Sequence, residues 1–300
     1  MIALTANRQP PVASNIGDLL SRYAIEKREA QILLAHVLGV SRAGIIANCD
    51  RILDDIQEQR ANQLLARRAA GEPIAYLIGS REFYGRDFVV SPATLIPRPE
   101  TEIIVEQALA CLSGHISREM PADIGSTHSN IIVSPSILDL GTGSGAIAIS
   151  LALERPHMMV VAADVSRDAL LVAEDNALRL NAAVDFVDSN WYQDLAGRKF
   201  DLIVSNPPYV AGNDRHLSQG DLRFEPQTAL TDKSVDGLLS IRTIIEGAPA
   251  HLNANGWLLF EHGYDQSDAC NELLLKAGFV NLTSVNDLAG IPRVAGGQIR

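Results

Sequence analysis

Apolar positions run in two rhythms along this chain. In NIGDLLSRYAI (15–25), EKREAQILLAHVLGV (26–40) and DDIQEQRANQLLARRAAG (54–71) they are interleaved with polar residues at helical spacing. Ser14 or Asn15 is placed to cap the first segment, and Gly39 and Gly71 stop the second and third. The third also opens on acids and closes on arginines, as the helix dipole favours. A small helical bundle is predicted. Phe83 and Phe88 then flank the turn-like YGRD (84–87), the pattern of a β-hairpin. Pro99, followed by Glu100 and Glu102, opens a further helix that ends near Gly114.

From residue 136 short continuous apolar blocks alternate with helical ones. SILDL (136–140), MMVVAAD (158–164), AVDFV (183–187), FDLIVS (200–205), GWLLFEHG (256–263) and finally FVNLTSV (279–285) read as strands. Between them, GAIAISLALE (145–154), SRDALLVAEDNALRL (166–180), SVDGLLSIRTIIEGAPAHL (234–252) and DQSDACNELLLKAG (265–278) read as helices. Alternation of this kind builds an α/β fold, a mostly parallel sheet with helices on both faces. The expected division is a helical domain at 1–75, a hairpin linker at 76–98 and an α/β domain at 99–300. Residues 113–135, rich in Ser, Gly and Pro without a period, are expected to form a mobile surface connection.

Composition narrows the setting. Apolar residues make up 47% and charged residues 20%, as in ordinary globular proteins. No apolar run approaches the ~20 residues that span a bilayer, and MIALTANRQPPVASN (1–15) lacks the pattern of a signal peptide. Cys49, Cys111 and Cys270 are far apart and without close His partners, which predicts free thiols in a reducing cytoplasm and no metal site. The net charge of −11 is uneven: residues 1–100 carry 12 Lys+Arg against 11 Asp+Glu, and residues 101–300 carry 13 against 25. A nucleic-acid footprint would make the second part basic.

Two loops carry candidate chemistry. LDLGTGSGAIAIS (138–150) places Gly141, Gly143 and Gly145 between a strand and its helix, where backbone can approach a ligand beside a helix N-terminus. Ala146 stands where a dinucleotide fingerprint has its third glycine. Asp164, ending the second strand, suits the ribose diol of either NAD or S-adenosylmethionine; alone it could be a helix-capping acid before Ser166, but in this context the ribose role is favoured. The discriminating stretch is VSNPPYV (204–210). Pro207 and Pro208 cannot extend the strand and stiffen the loop. The Asn206 amide oxygen and the Pro207 carbonyl can accept both hydrogens of a planar –NH2 group, with Tyr209 packing flat against it. An amide nitrogen is a poor nucleophile, and fixing its lone pair in line with an electrophilic methyl is a large rate term. The loop is a clamp for an –NH2 group about to be methylated.

With DLGTGSG and SNPPY in this order, the chain resembles class I S-adenosylmethionine-dependent methyltransferases that methylate amino groups. GEPIAYLIGSREFYGRDFVVSPATLIPRPETE (71–102) and QGDLRFEPQTAL (219–230) resemble more narrowly the peptide chain release factor glutamine methyltransferases, over residues 15–294. The resemblance implies a seven-stranded Rossmann-like sheet and transfer of a methyl group to the glutamine N5 of the release factors' Gly-Gly-Gln motif, in support of translation termination. It implies that Gly141, Thr142, Gly143, Ser144 and Gly145 lie under the cofactor, with Asp164 on its ribose and Trp191 beside its adenine. Asn206, Pro207, Pro208 and Tyr209 would bind the glutamine, with Asn206 also near the cofactor. Glu225 and Pro226 would shape a covering loop, and the helical domain would recognise the protein substrate or simply cover apolar surface. The enzyme is expected in the cytoplasm as a monomer, without direct nucleic-acid or membrane binding. Asn190 stands where the family usually has an acid before the aromatic residue, and 113–135 is longer than the family pattern. Glu261 and His262, with no partner visible in the sequence, are read as structural. The tail RVAGGQIR (293–300) repeats the expected substrate tripeptide at Gly296–Gln298, either by coincidence or as a site of self-methylation or self-inhibition.

The nearest rival is a methyltransferase for the exocyclic amines of adenine or guanine, which the acidity of 101–300 opposes. A cofactor-fold binding module would have no need of Asn206. A dehydrogenase would need a hydride-site acid or base, and none is evident.

Overall fold

The computed structural model describes residues 14–113 and 134–300. Most of the N-terminal stretch read for targeting signals, and of the connection expected over 113–135, lies outside these residues. The chain divides into two compact units, Met1–Gly79 and Ser80–Arg300.

In the first unit α1 (Ile16–Arg22), α2 (Lys27–Leu38), α3 (Arg42–Ala47), α4 (Asp55–Ala69) and α5 (Ile74–Ile78) enclose Leu19, Leu33, Leu34, Ile45 and Leu65, all fully buried. Asn15 and Asp54 close capping boxes with Asp18 and Gln57, which fix where α1 and α4 start. The boundary expected at residue 75 falls inside α5. The unit instead runs to Gly79, whose left-handed conformation (φ 76°) ends that helix.

The second unit opens with the hairpin β1 (Ser80–Phe83) and β2 (Arg86–Val89). Tyr84 (φ 50°) and Gly85 (φ 73°) are both left-handed, the two-residue turn whose twist suits paired strands. Phe83 and Phe88 meet edge to face at 6.0 Å and join the core beside Ile104 and Val105. A 3-10 turn at Pro99–Thr101 leads into α6 (Glu102–Ser113). There follow β3 (Ser136–Leu140), α7 (Ala146–Glu154), β4 (Met159–Asp164), α8 (Arg167–Leu180), β5 (Asp185–Asp188) and β6 (Phe200–Ser205). The chain closes with α9 (Gln227–Leu230), α10 (Leu239–His251), β7 (Leu252–Glu261), α11 (Ser267–Lys276), β8 (Val280–Asn286) and β9 (Pro292–Gln298). The expected mixed α/β architecture is present: a seven-stranded sheet in the order β5-β4-β3-β6-β7-β9-β8, parallel except where β9 joins β7 and β8. Its two faces follow the period-two alternation of the strands. Ile137, Val160, Ala162, Leu202 and Val204 face α6, α7 and the hairpin, whereas Leu138, Leu140, Val161, Ala163 and Ile203 share a core with α10 and α11. No helix among the described residues is long and apolar enough to cross a membrane.

Two expectations need correction. Residues 234–238 are not helical, because Gly237 is left-handed (φ 67°) and packs so tightly that a Cβ there would overlap the Tyr209 carbonyl oxygen. The 279–285 strand is also not the last. β9 enters antiparallel between β7 and β8, with Gly296 against Leu258 and Leu259, and Gly297 against Phe279 and Leu282. The amide of Gln298 is engaged at both ends: its Oε1 accepts from Asn281 Nδ2 and its Nε2 donates to the Asn255 carbonyl, each at 2.9 Å.

Gly296→Ala should therefore cost about 1–3 kcal/mol of stability, the usual range for overpacking, since its Cβ would overlap the Leu258 carbonyl oxygen, which is held in the sheet. Urea denaturation followed by circular dichroism measures it; a midpoint equal to wild type would mean that β9 does not lie this close to β7.

Candidate active site

Strand register gathers the candidate residues at one sheet edge. Leu140 pairs with Ala163 on one side and Ser205 on the other; Asp164 pairs with Asp188, and Ser205 with Phe260. The next residues, Gly141, Ser189, Asn206 and Glu261, thus emerge beside Asp164 along the carboxyl ends of five neighbouring parallel strands. The ends are tied across: the N–H groups of Gly141 and Thr142 donate to the Ala163 carbonyl, Ser189 N–H to that of Asp164, and Ser205 Oγ to that of Leu140 at 2.7 Å. The strand order reverses around β3, the position where open α/β sheets form a ligand crevice.

A cavity occupies this crevice. Gly141, Thr142, Gly143, Ser144, Asp164, Trp191, Asn206 and Pro208 line it, together with Asn190. Three predicted residues, Gly145, Pro207 and Tyr209, are not part of its lining. Gly141, Gly143 and Gly145 are all left-handed but serve different needs. A Cβ on Gly143 would meet nothing within 4 Å, so the loop is open there. A Cβ on Gly145 would lie 2.7 Å from Ile149 Cδ1 and 3.1 Å from Ala173 Cβ, so this glycine lets α7 approach α8.

Both oxygens of Asp164 accept backbone hydrogen bonds at 2.8 Å, Oδ2 from Gly143 and Oδ1 from Ser166. The helix itself is capped by Ser166, whose Oγ accepts from Ala169 N–H at 3.2 Å, so Asp164 lines the cavity without capping α8. Burial raises its pKa, and those hydrogen bonds work against the rise. Asp139, which sequence reasoning passed over, is fully buried beneath the loop. Its Oδ2 accepts from Thr142 Oγ1 at 2.7 Å and from Ala148 N–H at 3.3 Å, while its Oδ1 has no partner. Burial pushes its carboxyl up to about 7. Asn176 of α8 was also missed; its amide bonds both backbone groups of Val89 and the Ser144 carbonyl, tying the hairpin to the glycine loop.

Trp191 takes a left-handed backbone (φ 53°), held by Ser189 Oγ donating to its carbonyl at 2.8 Å. Its ring lies against Gly141, whose Cβ would be 3.7 Å from the ring edge. The far wall comes from Ala93–Leu95, Pro97, Thr101, Pro226, Thr228 and Ala229. Glu225, 3% exposed, joins these segments by accepting from Ile96 N–H at 3.0 Å and from the Arg98 guanidinium. The strings SPATLIPRP and FEPQTAL carried the only sequence signal for this wall.

Behind Asn206 runs a buried polar chain. Asn206 Nδ2 donates to Thr101 Oγ1 at 3.0 Å, Thr101 Oγ1 donates to Glu261 Oε2 at 2.7 Å, and the Tyr209 hydroxyl donates to Glu261 Oε1 at 2.8 Å. Burial and then the Glu261 charge raise the Tyr209 pKa well above its ordinary value, so its hydroxyl keeps its proton. Glu261 is therefore no mere core residue: it anchors the Tyr209 ring and, through Thr101, the amide of Asn206. His262 fits its structural reading, buried, with its pKa lowered by burial and Nδ1 against the Gly263 carbonyl.

A doubly wound sheet with a glycine loop and an amide-bearing loop on adjacent strand ends defines a class I methyltransferase. The description "Methyltransferase small domain" matches residues 124–223, and "PrmC N-terminal domain" matches 16–79. The release factor glutamine methyltransferase of Burkholderia pseudomallei (strain K96243) is 47% identical over 300 residues, covering 98% of this chain and 99% of that protein. The enzyme of that name from Escherichia coli (strain K12) is 44% identical, covering 91% and 92%. In fold, the chain is similar to the catalytic domain of hMettl16 solved in complex with the MAT2A 3'UTR hairpin 6, with a TM-score of 0.53, 15% identity and 82% of each chain covered. This chain belongs to the release factor glutamine methyltransferase family.

Asp139 yields a pH prediction. Its folded pKa, about 7, lies above the ordinary 3.8. Its contribution to stability is thus fully present below 3.8 and is lost as pH rises through about 7. Asp139→Asn abolishes that slope, so wild type should lose ground to the variant in melting temperature across this window. Parallel profiles would overturn the assignment.

Proposed function

We propose that this protein transfers a methyl group from S-adenosylmethionine to the side-chain amide nitrogen of the glutamine in the Gly-Gly-Gln motif of peptide chain release factors. The observation that carries this is one cavity that runs from the glycine loop and Asp164 to Asn206 and Pro208. The residues present fit the cofactor. The open side of Gly143 leaves room for it, Asp164 offers carboxylate lone pairs to a ribose diol, and Trp191 and Asn190 offer a flat apolar face and an amide to a base. When bound, the cofactor supplies an electrophilic methyl group.

The chain's own part is orientation. In this reading two acceptors take the two N–H groups of the glutamine amide: Oδ1 of Asn206, which lines the cavity, and the carbonyl of the next residue, Pro207, which the substrate reaches only on entering the loop. The nitrogen lone pair is thereby turned toward the cofactor end of the cavity. Stiff prolines keep the two acceptors in place without rearrangement. The wall tied by Glu225 shields the reacting atoms from water, which strengthens each of these polar contacts. The helical unit, nearly neutral where the rest is acidic, is assigned to holding the release factor, because a Gly-Gly-Gln tip by itself offers few contacts.

Labelled methyl transfer offered in parallel to release factor, RNA and DNA tests the function. Label should enter the release factor alone and map to the motif glutamine; label in nucleic acid alone would replace this assignment with the base-amine one. Asn206→Ala should lower turnover by about two to three orders of magnitude, comparable to losing an oxyanion-hole donor at ~2–4 kcal/mol, with little change in cofactor affinity. Turnover within a few fold of wild type at saturating substrate would remove the clamp. A chain starting at Ser80 should keep cofactor binding by calorimetry and methylate intact release factor far more slowly, chiefly through a higher KM. Unchanged kinetics would show that the helical unit does not recognise the substrate.

A further inference from the structure

The two ends of an Asn amide are alike in shape, and only their hydrogen-bond partners decide which way the group faces. At Asn206 that decision is made by Thr101 in the cavity wall and by Glu261 behind it. Burial raises the Glu261 pKa, and the hydroxyls of Thr101 and Tyr209 together with the Arg293 charge work against the rise. As a carboxylate it only accepts, one oxygen from the Tyr209 hydroxyl and the other from that of Thr101. Thr101 has one proton and spends it on Glu261, so toward Asn206 its oxygen can only accept. The Asn206 atom 3.0 Å from it must therefore be Nδ2. A flipped amide would set Oδ1 against that oxygen, acceptor against acceptor. Thr101, although it lines the cavity, is only 4% exposed and Glu261 2%, so once substrate and cofactor fill the cavity no water is left to supply the missing donor.

We propose that Thr101 and Glu261 are positioning residues that hold the Asn206 oxygen toward the substrate and thereby make the clamp selective for glutamine over glutamate. This deepens the proposed function and rests on it. With Nδ2 turned away, the clamp presents only acceptors, Oδ1 and the Pro207 carbonyl. A glutamine –NH2 satisfies both, whereas a glutamate carboxylate of the same shape opposes them with its own acceptors. With the Thr101 proton relay removed, Asn206 turns freely, and Nδ2 becomes able to serve the carboxylate.

The test compares wild type with Thr101→Val, Thr101→Ser and Glu261→Gln. Intact release factor carrying Gly-Gly-Gln is the substrate, and the same factor carrying Gly-Gly-Glu is a competitive ligand. Thr101→Val should lower kcat at least tenfold and narrow the ratio of Gly-Gly-Glu to Gly-Gly-Gln binding constants at least tenfold, while cofactor affinity stays within threefold. Thr101→Ser, which keeps the hydroxyl, should restore both to within threefold of wild type. Glu261→Gln, which can donate to Thr101, should narrow the same ratio and carries the test if Thr101→Val does not fold. A purely structural role would lower the melting temperature and leave the ratio unchanged, and that result overturns the inference. Wild type that methylates no release factor would overturn the proposed function and this role with it. Wild-type turnover with an unaltered ratio in the folded variants overturns this role alone.

Discussion

The pairing of Leu140 with Ser205 is the constraint on which the site depends. These residues end β3 and β6, neighbouring strands on either side of the point where the sheet's order reverses. One residue later the two chains become Gly141 and Asn206. A slip of one position would turn Ile203 and Leu202 to the wrong faces of the sheet, so the apolar alternation of the two cores fixes the register. Ser205 Oγ, donating to the Leu140 carbonyl, stitches the two strand ends where regular ladder bonding stops. The relative position of the two loops is thus set by the burial of the aliphatic side chains of the strands beneath them.

Above that edge, loops are held by buried polar side chains rather than by apolar packing. Asp139, Asn176, Glu225 and Glu261 each join segments that are distant in the chain or that must turn sharply. A buried polar group costs free energy unless its partners are in place. Each of these groups therefore penalises any arrangement in which its loops separate. Apolar contacts would hold the same loops with less angular definition, since hydrogen bonds weaken steeply once bent. Asp139 keeps one oxygen unpartnered, and burial raises its pKa accordingly.

What the sequence made legible follows from this division. Strands and helices whose burial repeats with their own period were readable as such, and so were loops whose residues are exceptional in themselves: three glycines at alternate positions, or two prolines after a strand. Partnerships across the fold were not readable. Thr101 and Glu261 lie 160 positions apart, and nothing local to EHG at 261–263 signals that a threonine and a tyrosine will meet the carboxylate. Gly145 looks like Gly143 in the sequence, yet one relieves a helix–helix contact and the other faces open space. β9 escaped notice for a related reason. PRVAGGQ has a proline and two glycines, the composition of a turn, and it becomes a strand because its neighbours leave no room for side chains there.

That strand also separates the chain's own Gly-Gly-Gln from the proposed substrate tripeptide. Gly296 and Gly297 are buried between β7 and β8, where a Cβ would overlap the neighbours, so their lack of side chains answers a packing demand. Glu261, beside the site, ends β7 and pairs with Val294, whereas Gln298 pairs with Trp257 in the middle of that strand. Its amide already donates to Asn255 and accepts from Asn281. To enter a clamp of two acceptors, that amide would first have to abandon both bonds, and β9 would have to leave the centre of an antiparallel trio. Three identical letters therefore do not make a substrate. The proposed clamp, offering only acceptors, would need an amide whose hydrogens are unclaimed, on a backbone free to approach, and a strand inside a sheet meets neither condition.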